Sequence, residues 1–441
     1  MSIASVVFVL ALALASWWFA RNVRRIRRNI LLGRQEQIND RRSERWAVMA
    51  RVALGQSKMV VRPVAGILHI LVYAGFVIIN IEVLEIIIDG IFGTHRVFSF
   101  LGGFYNFLIG AFEVLALLTW LACAIFLVRR FILRIPRFWN REMTVWPRTD
   151  AGLILTFEIL LMSAFLLMNA ADHTLQGMGE GHYIKAGAFP VSAYLAELLH
   201  LSTLAPSTLI AIERVSWWFH IIGILGFLNY LPYSKHFHIL LAFPNVWYSK
   251  LAPKTQMNNM PRVTAEVKSM LDPSVPPPAP PAEPANGLPA EHFGAKDVFD
   301  LSWKSLMDAY TCTECGRCTS VCPANLTGKL LSPRKVVMDT RDRLEEVGHV
   351  IDAKGKWEDD GKDLFSRISE EELWACTTCN ACTQACPVNI DPVRIILDMR
   401  RYLVMEQSKP RPSLNAMFTT IENNGAAWAF GPDQRMKWSE E

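Results

Sequence analysis

Residues 312–323 read CTECGRCTSVCP and residues 376–387 read CTTCNACTQACP. Both are C-x2-C-x2-C-x3-C-P. In such a run the first three thiolates take three corners of one cubane, and the fourth cysteine, set off by three residues and closed by proline, reaches across to the other cluster. The repeat therefore predicts Cys312, Cys315, Cys318 and Cys386 on one [4Fe-4S] cluster, and Cys376, Cys379, Cys382 and Cys322 on a second. Zinc is the competing reading, but zinc ligands come in pairs rather than as two identical four-cysteine runs each closed by proline. Of nine cysteines only Cys123 is left over. It lies alone in an apolar run, as a small buried residue would, so no thiol remains for a further cluster or for thiol chemistry.

Working outward, each motif is followed by apolar residues at helical spacing, LSPRKVVMDTRDRLEEV from 331 and DPVRIILDMRRYLVMEQ from 391. Upstream, 273–289 read PSVPPPAPPAEPANGLP. So many prolines exclude helix and sheet and predict a semi-rigid spacer. A ligand for a proline-binding domain is the alternative on composition, but a linker needs no further assumption.

The 441 residues are 51% hydrophobic, yet the apolar ones crowd into the first 250. Five stretches there, 3–19, 64–88, 104–127, 151–170 and 209–231, approach or exceed the roughly 20 helical residues that cross a hydrocarbon core. The first stretch has its arginines after the apolar run, the reverse of a signal peptide, and reads as a retained anchor. The expected architecture is all-α: a five-helix membrane domain at 1–250, a proline-rich linker at 251–299 and a cytoplasmic helical dicluster domain at 300–441.

Orientation follows from basic residues in short loops. The first loop holds eleven arginines between Arg21 and Arg62 plus Lys58, and the third holds six between Arg129 and Arg148. The opposite loops hold little beyond Arg96 and Lys185. The N-terminus is then outside and everything after the fifth helix is inside. Arginine runs also suit nucleic acid, but their position beside membrane helices favours topology over that reading, and no nucleic-acid partner is expected.

Two kinds of residue carry chemistry in this half. Imidazole is a usual axial ligand of b-type haem, and a bis-histidine haem takes one from each of two facing helices. His69 and His238 fall at similar depth near the cytoplasmic side, with His220 farther out on the fifth helix and His236 beside His238. For each one alone, an interfacial histidine is the plainer alternative. The acids Glu82, Glu85, Glu113 and Glu213, the last beside Arg214, lie in the outer half, where a quinone headgroup and a proton exit are candidates for their use. Ion pairing at the interface is the alternative. Glu158 lies nearer the cytoplasmic side.

The stretch HIIGILGFLNYLPYSKHFHILLAFP, from 220, resembles the last helix of the respiratory nitrate reductase gamma subunit, a five-helix cytochrome b: His220, Pro232 and His238 keep its spacing and LPYSK its turn. GILHILVYAGF, around His69, resembles that family's second helix. The resemblance covers roughly 1–245 and implies a haem held by His69 and His238. At the position of the family's other second-helix histidine stands Ile79, so a second haem on His220 would need another ligand, for which His173 and His200 are the candidates.

The two cysteine motifs and the tail IENNGAAWAFGPDQRMKW resemble the helical ferredoxin domain of heterodisulfide reductase C subunits and of the membrane-anchoring subunit of anaerobic glycerol-3-phosphate dehydrogenase, over about 300–441. The cysteine-rich CCG-type motifs that carry out substrate chemistry in larger members are absent here. The combination resembles membrane subunits of quinone-interacting redox complexes, such as those coupling electron-transferring flavoprotein to menaquinone. It implies an oxidoreductase subunit of a bacterial inner membrane respiratory chain. Such a subunit passes electrons between menaquinone or another quinone, haem b, two [4Fe-4S] clusters and a cytoplasmic CCG-type or flavoprotein partner that holds the catalytic site. A membrane redox sensor using the same clusters is the alternative from another class.

Overall fold

The computed structural model describes residues 2–279, 292–428 and 430–440. Its helices are α1 Ile3–Ile30, α2 Arg42–Met49, α3 Pro63–Phe92, α4 Gly103–Leu127, α5 Val145–Met178, α6 Ser192–Leu198, α7 Pro206–Tyr230, α8 His238–Trp247, α9 Pro261–Leu271, α10 Trp303–Thr311, α11 Pro323–Leu326, α12 Pro333–Lys354, α13 Glu370–Ala375, α14 Ala381–Ala385, α15 Pro392–Arg401 and α16 Pro412–Asn424. Among the described residues there is no strand, and one isolated bridge joins Arg34 to Ser302. Proline opens α3, α7, α12 and α15, where its missing N–H costs nothing.

Five helices, α1, α3, α4, α5 and α7, are long and apolar enough to cross a membrane. They close into a ring in which α1 packs on α3, α3 on α4, α4 on α5, α5 on α7 and α7 back on α1. Leu10, Leu14, Val77, Phe107 and Ile222 point outward and are exposed. So much exposed apolar surface suits hydrocarbon rather than water.

The first helix departs from expectation. It does not stop at residue 19 but runs on through the arginines to Ile30, because its last turns bind the cluster-bearing unit. Ile26 and Ile30 enter one core with Leu306, Val336 and Val347. Arg25 pairs with Asp352 at 2.8 Å, Arg28 pairs with the same carboxylate, and Asn29 donates to the Tyr310 hydroxyl at 2.9 Å. The helices meet at Gly348, where a Cβ would lie 2.4 Å from Asn29 Nδ2. Gly348→Ala is therefore expected to cost about 1–3 kcal/mol through overpacking. It should lower the Tm and speed proteolysis of the docked unit, while iron content holds.

The expected boundaries shift as well. Ala295 and Val298 are fully buried in the same core as Leu301 and Leu306, and Asp297 pairs with Arg343 at 2.7 Å. The helical unit thus includes residues expected in the linker. Helix α9 lies in the first half of the expected linker, and residues 280–289 of the proline run lie outside the described residues.

Candidate metal and haem centres

The two cysteine loops share one backbone conformation. In the first, Glu314 and Gly316 take φ of 55° and 71°; in the second, Thr378 and Asn380 take 55° and 58°. Left-handed residues at matched places curl each loop so that amides turn toward sulfur. The Thr378 amide donates to Cys376 Sγ at 3.4 Å, the Ile390 amide to Cys386 Sγ at 3.3 Å, and the Glu314 amide to Cys312. Cys312 follows the end of α10 and Cys376 the end of α13, so in both loops a helix end fixes the first thiol.

Cys312, Cys315, Cys318 and Cys386 line one cavity, together with Arg317, Arg334, Val337 and Pro387. No carboxylate is among its lining residues, and a soft all-thiol donor set suits iron–sulfur clusters. Around the second motif, Cys322 and Cys379 lie within electrostatic reach of Cys376, and Cys376 within reach of Cys382. Burial pushes the Cys312 and Cys382 thiols up to about 12 and Cys386 to about 11. Such thiols become thiolates only where metal charge compensates. Among the described residues no three His, Cys, Asp or Glu side chains close on a single ion's position. The four thiols surround a space instead, as ligands to four different irons would.

At the same end of the bundle, the rings of His69 and His238 lie 6.5 Å apart, inclined at 44°. Two imidazoles brought this close from separate helices are the side chains that would hold a haem b, which would supply one-electron storage there. His238 Nδ1 is 3.1 Å from the Lys235 carbonyl, while His69 Nδ1 is buried without a hydrogen-bond partner. His236 lies 5.5 Å from His238 and 5.3 Å from Phe227. The residues present fit a bis-histidine haem.

The fit fails for the second haem. His220 is buried and its Nδ1 meets the Leu161 carbonyl at 2.9 Å. His173 stands twelve residues beyond Leu161 on the same helix, about 18 Å away, where it is exposed and packs on Phe189. His200 is exposed. A pairing of His220 with His173 is therefore corrected to a histidine whose hydrogen bond is met by backbone, its neighbour on the ring face being Phe165.

The outer acids separate by their partners. Glu85 accepts from the Phe98 amide at 2.7 Å and the Tyr105 hydroxyl at 2.8 Å. Glu113 accepts from the amides of Val191 and Ser192, at 3.0 and 3.1 Å, and from Asn169. Both hold the outer connections in place. Glu82 has one oxygen 3.8 Å from Arg96 and the other unpartnered, and it faces a pocket that also takes in His95, Asp172, His182, Glu213 and Trp217. Sequence reading missed His95 and Asp172. It noticed Arg96 only as a rare outer cation, yet that residue pairs with Asp172 and donates to Tyr105 and Asn169.

It also missed the contacts that join the two ends. Arg317 donates to the carbonyls of Lys58, at 2.7 Å, and Met59, at 3.2 Å. Lys58 donates to the Cys386 carbonyl at 3.0 Å. Lys235 is buried against Glu314 and donates to the Pro147 carbonyl at 2.6 Å. The one sequence signal was the LPYSK turn: its serine donates to Asp150 and its lysine reaches the cluster loop.

Fold and site together define a membrane-anchored iron–sulfur electron-transfer protein. Residues 311–390 match the 4Fe-4S dicluster domain family. The chain is 28% identical over 467 aligned residues to the probable iron-sulfur-binding oxidoreductase FadF of Bacillus subtilis, an alignment covering 99% of this chain and 61% of that protein. It is 26% identical to the EtfAB:quinone oxidoreductase of Syntrophomonas wolfei, over 91% of this chain and 55% of that one. The chain thus spans less than two thirds of either. Over 135 residues it is 30% identical to the ferredoxin:CoB-CoM heterodisulfide reductase C subunit of Methanosarcina mazei, covering 30% of this chain and 70% of that relative. In its cluster-bearing part the chain belongs to the family of heterodisulfide reductase C subunits. No solved structure matches it.

Proposed function

We propose that this chain is the membrane wire of a quinone-linked oxidoreductase. It carries electrons between a menaquinone-type quinone, a haem b held by His69 and His238, the two cubanes and a cytoplasmic partner of the CCG or flavoprotein kind. Cys312, Cys315, Cys318 and Cys386 would hold one cubane, and Cys376, Cys379, Cys382 and Cys322 the other. One-electron storage is what haem and cubanes supply when bound. The chain's own part is to fix their order and keep them dry.

The observation that carries this reading is the link through Arg317. Its loop bounds the first thiol cavity, its guanidinium grips the turn at Lys58 and Met59, and Gly66, one turn before His69, packs on that turn. Arg317 is also within electrostatic reach of His69. On this reading one side chain links the haem site to the first cubane site.

Orientation is supported by where the arginine-rich loops meet the cluster unit. Arg25, Lys58, Arg62 and Arg137 all contact it, so the end favoured for the cytoplasm by charge carries the clusters. Glu82 stands thirteen residues along α3 from His69, about 20 Å. A quinone that exchanges electrons with this haem would then do so toward the cytoplasmic side, away from the acids in the outer half.

A pyridine haemochrome assay tests the cytochrome. Purified chain should contain one haem b, and His69→Ala or His238→Ala should abolish it while His220→Ala retains it. Absence of haem from wild type would remove the cytochrome from the wire. Failure of a quinol to exchange electrons with clusters that are present would favour the sensor.

A further inference from the structure

We propose that the two cubane sites have fixed and unequal places in the wire: the Cys312, Cys315, Cys318 and Cys386 site is the inner one, raised in potential by Lys58 and Arg317, and the Cys376, Cys379, Cys382 and Cys322 site is the outer one, where an aqueous redox partner exchanges electrons. This rests on the cluster reading above.

Position comes first. The inner site touches the membrane bundle through two contacts that cross the junction: Lys58 to the Cys386 carbonyl at 3.0 Å, and Arg317 to the carbonyls of Lys58 and Met59. A third link runs through Arg334, which donates to the Arg137 carbonyl at 2.7 Å and to the Glu314 carbonyl at 3.3 Å. The second site differs in the exposure of one thiol. Cys379 is exposed, with Cys376 half-buried and Cys322 and Cys382 buried, whereas at the first site Cys315 and Cys318 are half-buried and Cys312 and Cys386 are buried. An electron carrier in water therefore meets a fully exposed thiol at the second site and none at the first.

Charge points the same way. Reduction adds one negative charge to a cubane, so nearby cations favour the reduced form and raise its potential, the more so where water is excluded. Lys58, Arg317, Arg334 and Arg137 gather at the inner site. The acid of its own loop, Glu314, is already tied to Lys235 and to Arg341. At the outer site Arg400 donates to the Cys376 carbonyl, but Asp391 acts on Cys382 and solvent screens the rest. An electron delivered at the outer cubane therefore runs downhill to the inner one.

The test is a potentiometric titration followed by EPR on the full chain in detergent, with and without a water-soluble lanthanide chelate. In wild type the chelate should speed relaxation of the lower-potential signal more than that of the higher. Lys58→Gln should lower the higher midpoint alone, at unchanged iron and sulfide, and Lys58→Arg should restore it. A chelate effect that is equal on both, or larger on the higher-potential signal, overturns the proposal. So does a Lys58→Gln variant that moves both midpoints or neither. If Lys58→Gln loses a cubane, the chelate experiment on wild type still decides. Wild type without iron and sulfide would instead sink the cluster reading itself, an outcome that elemental analysis distinguishes.

Discussion

Cys386→Ala should strip the chain of about half its iron and sulfide, and the cubane lost should belong to the first motif, 74 residues upstream. Cys386 is the fourth cysteine of the run that begins at Cys376, and its offset by three residues before a proline is what lets it reach across to the other cubane despite that distance. The fold overrules distance: Cys386 lines the cavity of Cys312, Cys315 and Cys318, with its carbonyl held by Lys58 and its sulfur met by the Ile390 amide. Cys322→Ala should produce the complementary loss, because Cys322 lies by Cys376. Each variant keeps three thiolates at the damaged site, so a residual three-iron species is one form the loss can take, and EPR would report it. The decisive comparison is which signal survives. After Cys386→Ala the surviving one should be the signal relaxed by an aqueous chelate, and after Cys322→Ala the shielded one. Survival in the opposite order would mean that each motif binds its own cubane with all four of its cysteines.

What the sequence made legible follows from the range of the interaction involved. Helix-forming apolar runs and cysteine spacings are local, so the five spans and the two cysteine motifs could be read directly. The end of α1 could not, because nothing before Ile30 says that Arg25 and Arg28 have carboxylate partners at Glu345 and Asp352. An arginine run next to a membrane reads as a solvated loop until a partner more than 300 residues later is known. The same holds for Glu113. Its isolation in an apolar helix suggested chemistry, yet it accepts from the amides of a connection that runs along the outer end. A buried acid signals an unmet donor, and sequence alone does not say whether that donor is a substrate or a backbone amide. The histidines divide likewise: the spacing of His69 and His238 pointed to a shared depth that their rings keep, whereas His220 and His173 sit on adjacent helices about 18 Å apart in height.

Lys235→Met is expected to destabilise the junction by about 3 kcal/mol, and the damage should be read at the first cubane rather than in the membrane bundle. Lys235 sits in the turn after α7, buried, with its amine against Glu314, 3.8 Å from Asp150 and bonded to the Pro147 carbonyl. Burial alone would push this lysine toward its neutral form and does lower its pKa, with Glu314 and Asp150 opposing that shift. For Glu314 burial works against ionisation, but Arg341 and Lys235 outweigh it and hold the carboxyl below its usual range. Removing one partner of a buried ion pair costs about 3–5 kcal/mol because a charge is left uncompensated. Arg341, 2.9 Å from Glu314, keeps part of the compensation, which sets the expected loss at the lower end. Asp150 stays satisfied by the hydroxyls of Tyr230 and Ser234, so α5 and α7 should remain packed. Glu314 is different, since it lies between Cys312 and Cys315 with a left-handed φ of 55°, a conformation that persists only where contacts enforce it. A lower Tm together with preferential iron loss from the shielded cubane is the expected result. Lys235→Arg should recover much of it, and Lys235→Met combined with Glu314→Gln should cost less than the sum of the single changes. Strict additivity, or a Lys235→Met variant that melts and binds iron like wild type, would mean that the cluster loop holds its shape without the membrane domain.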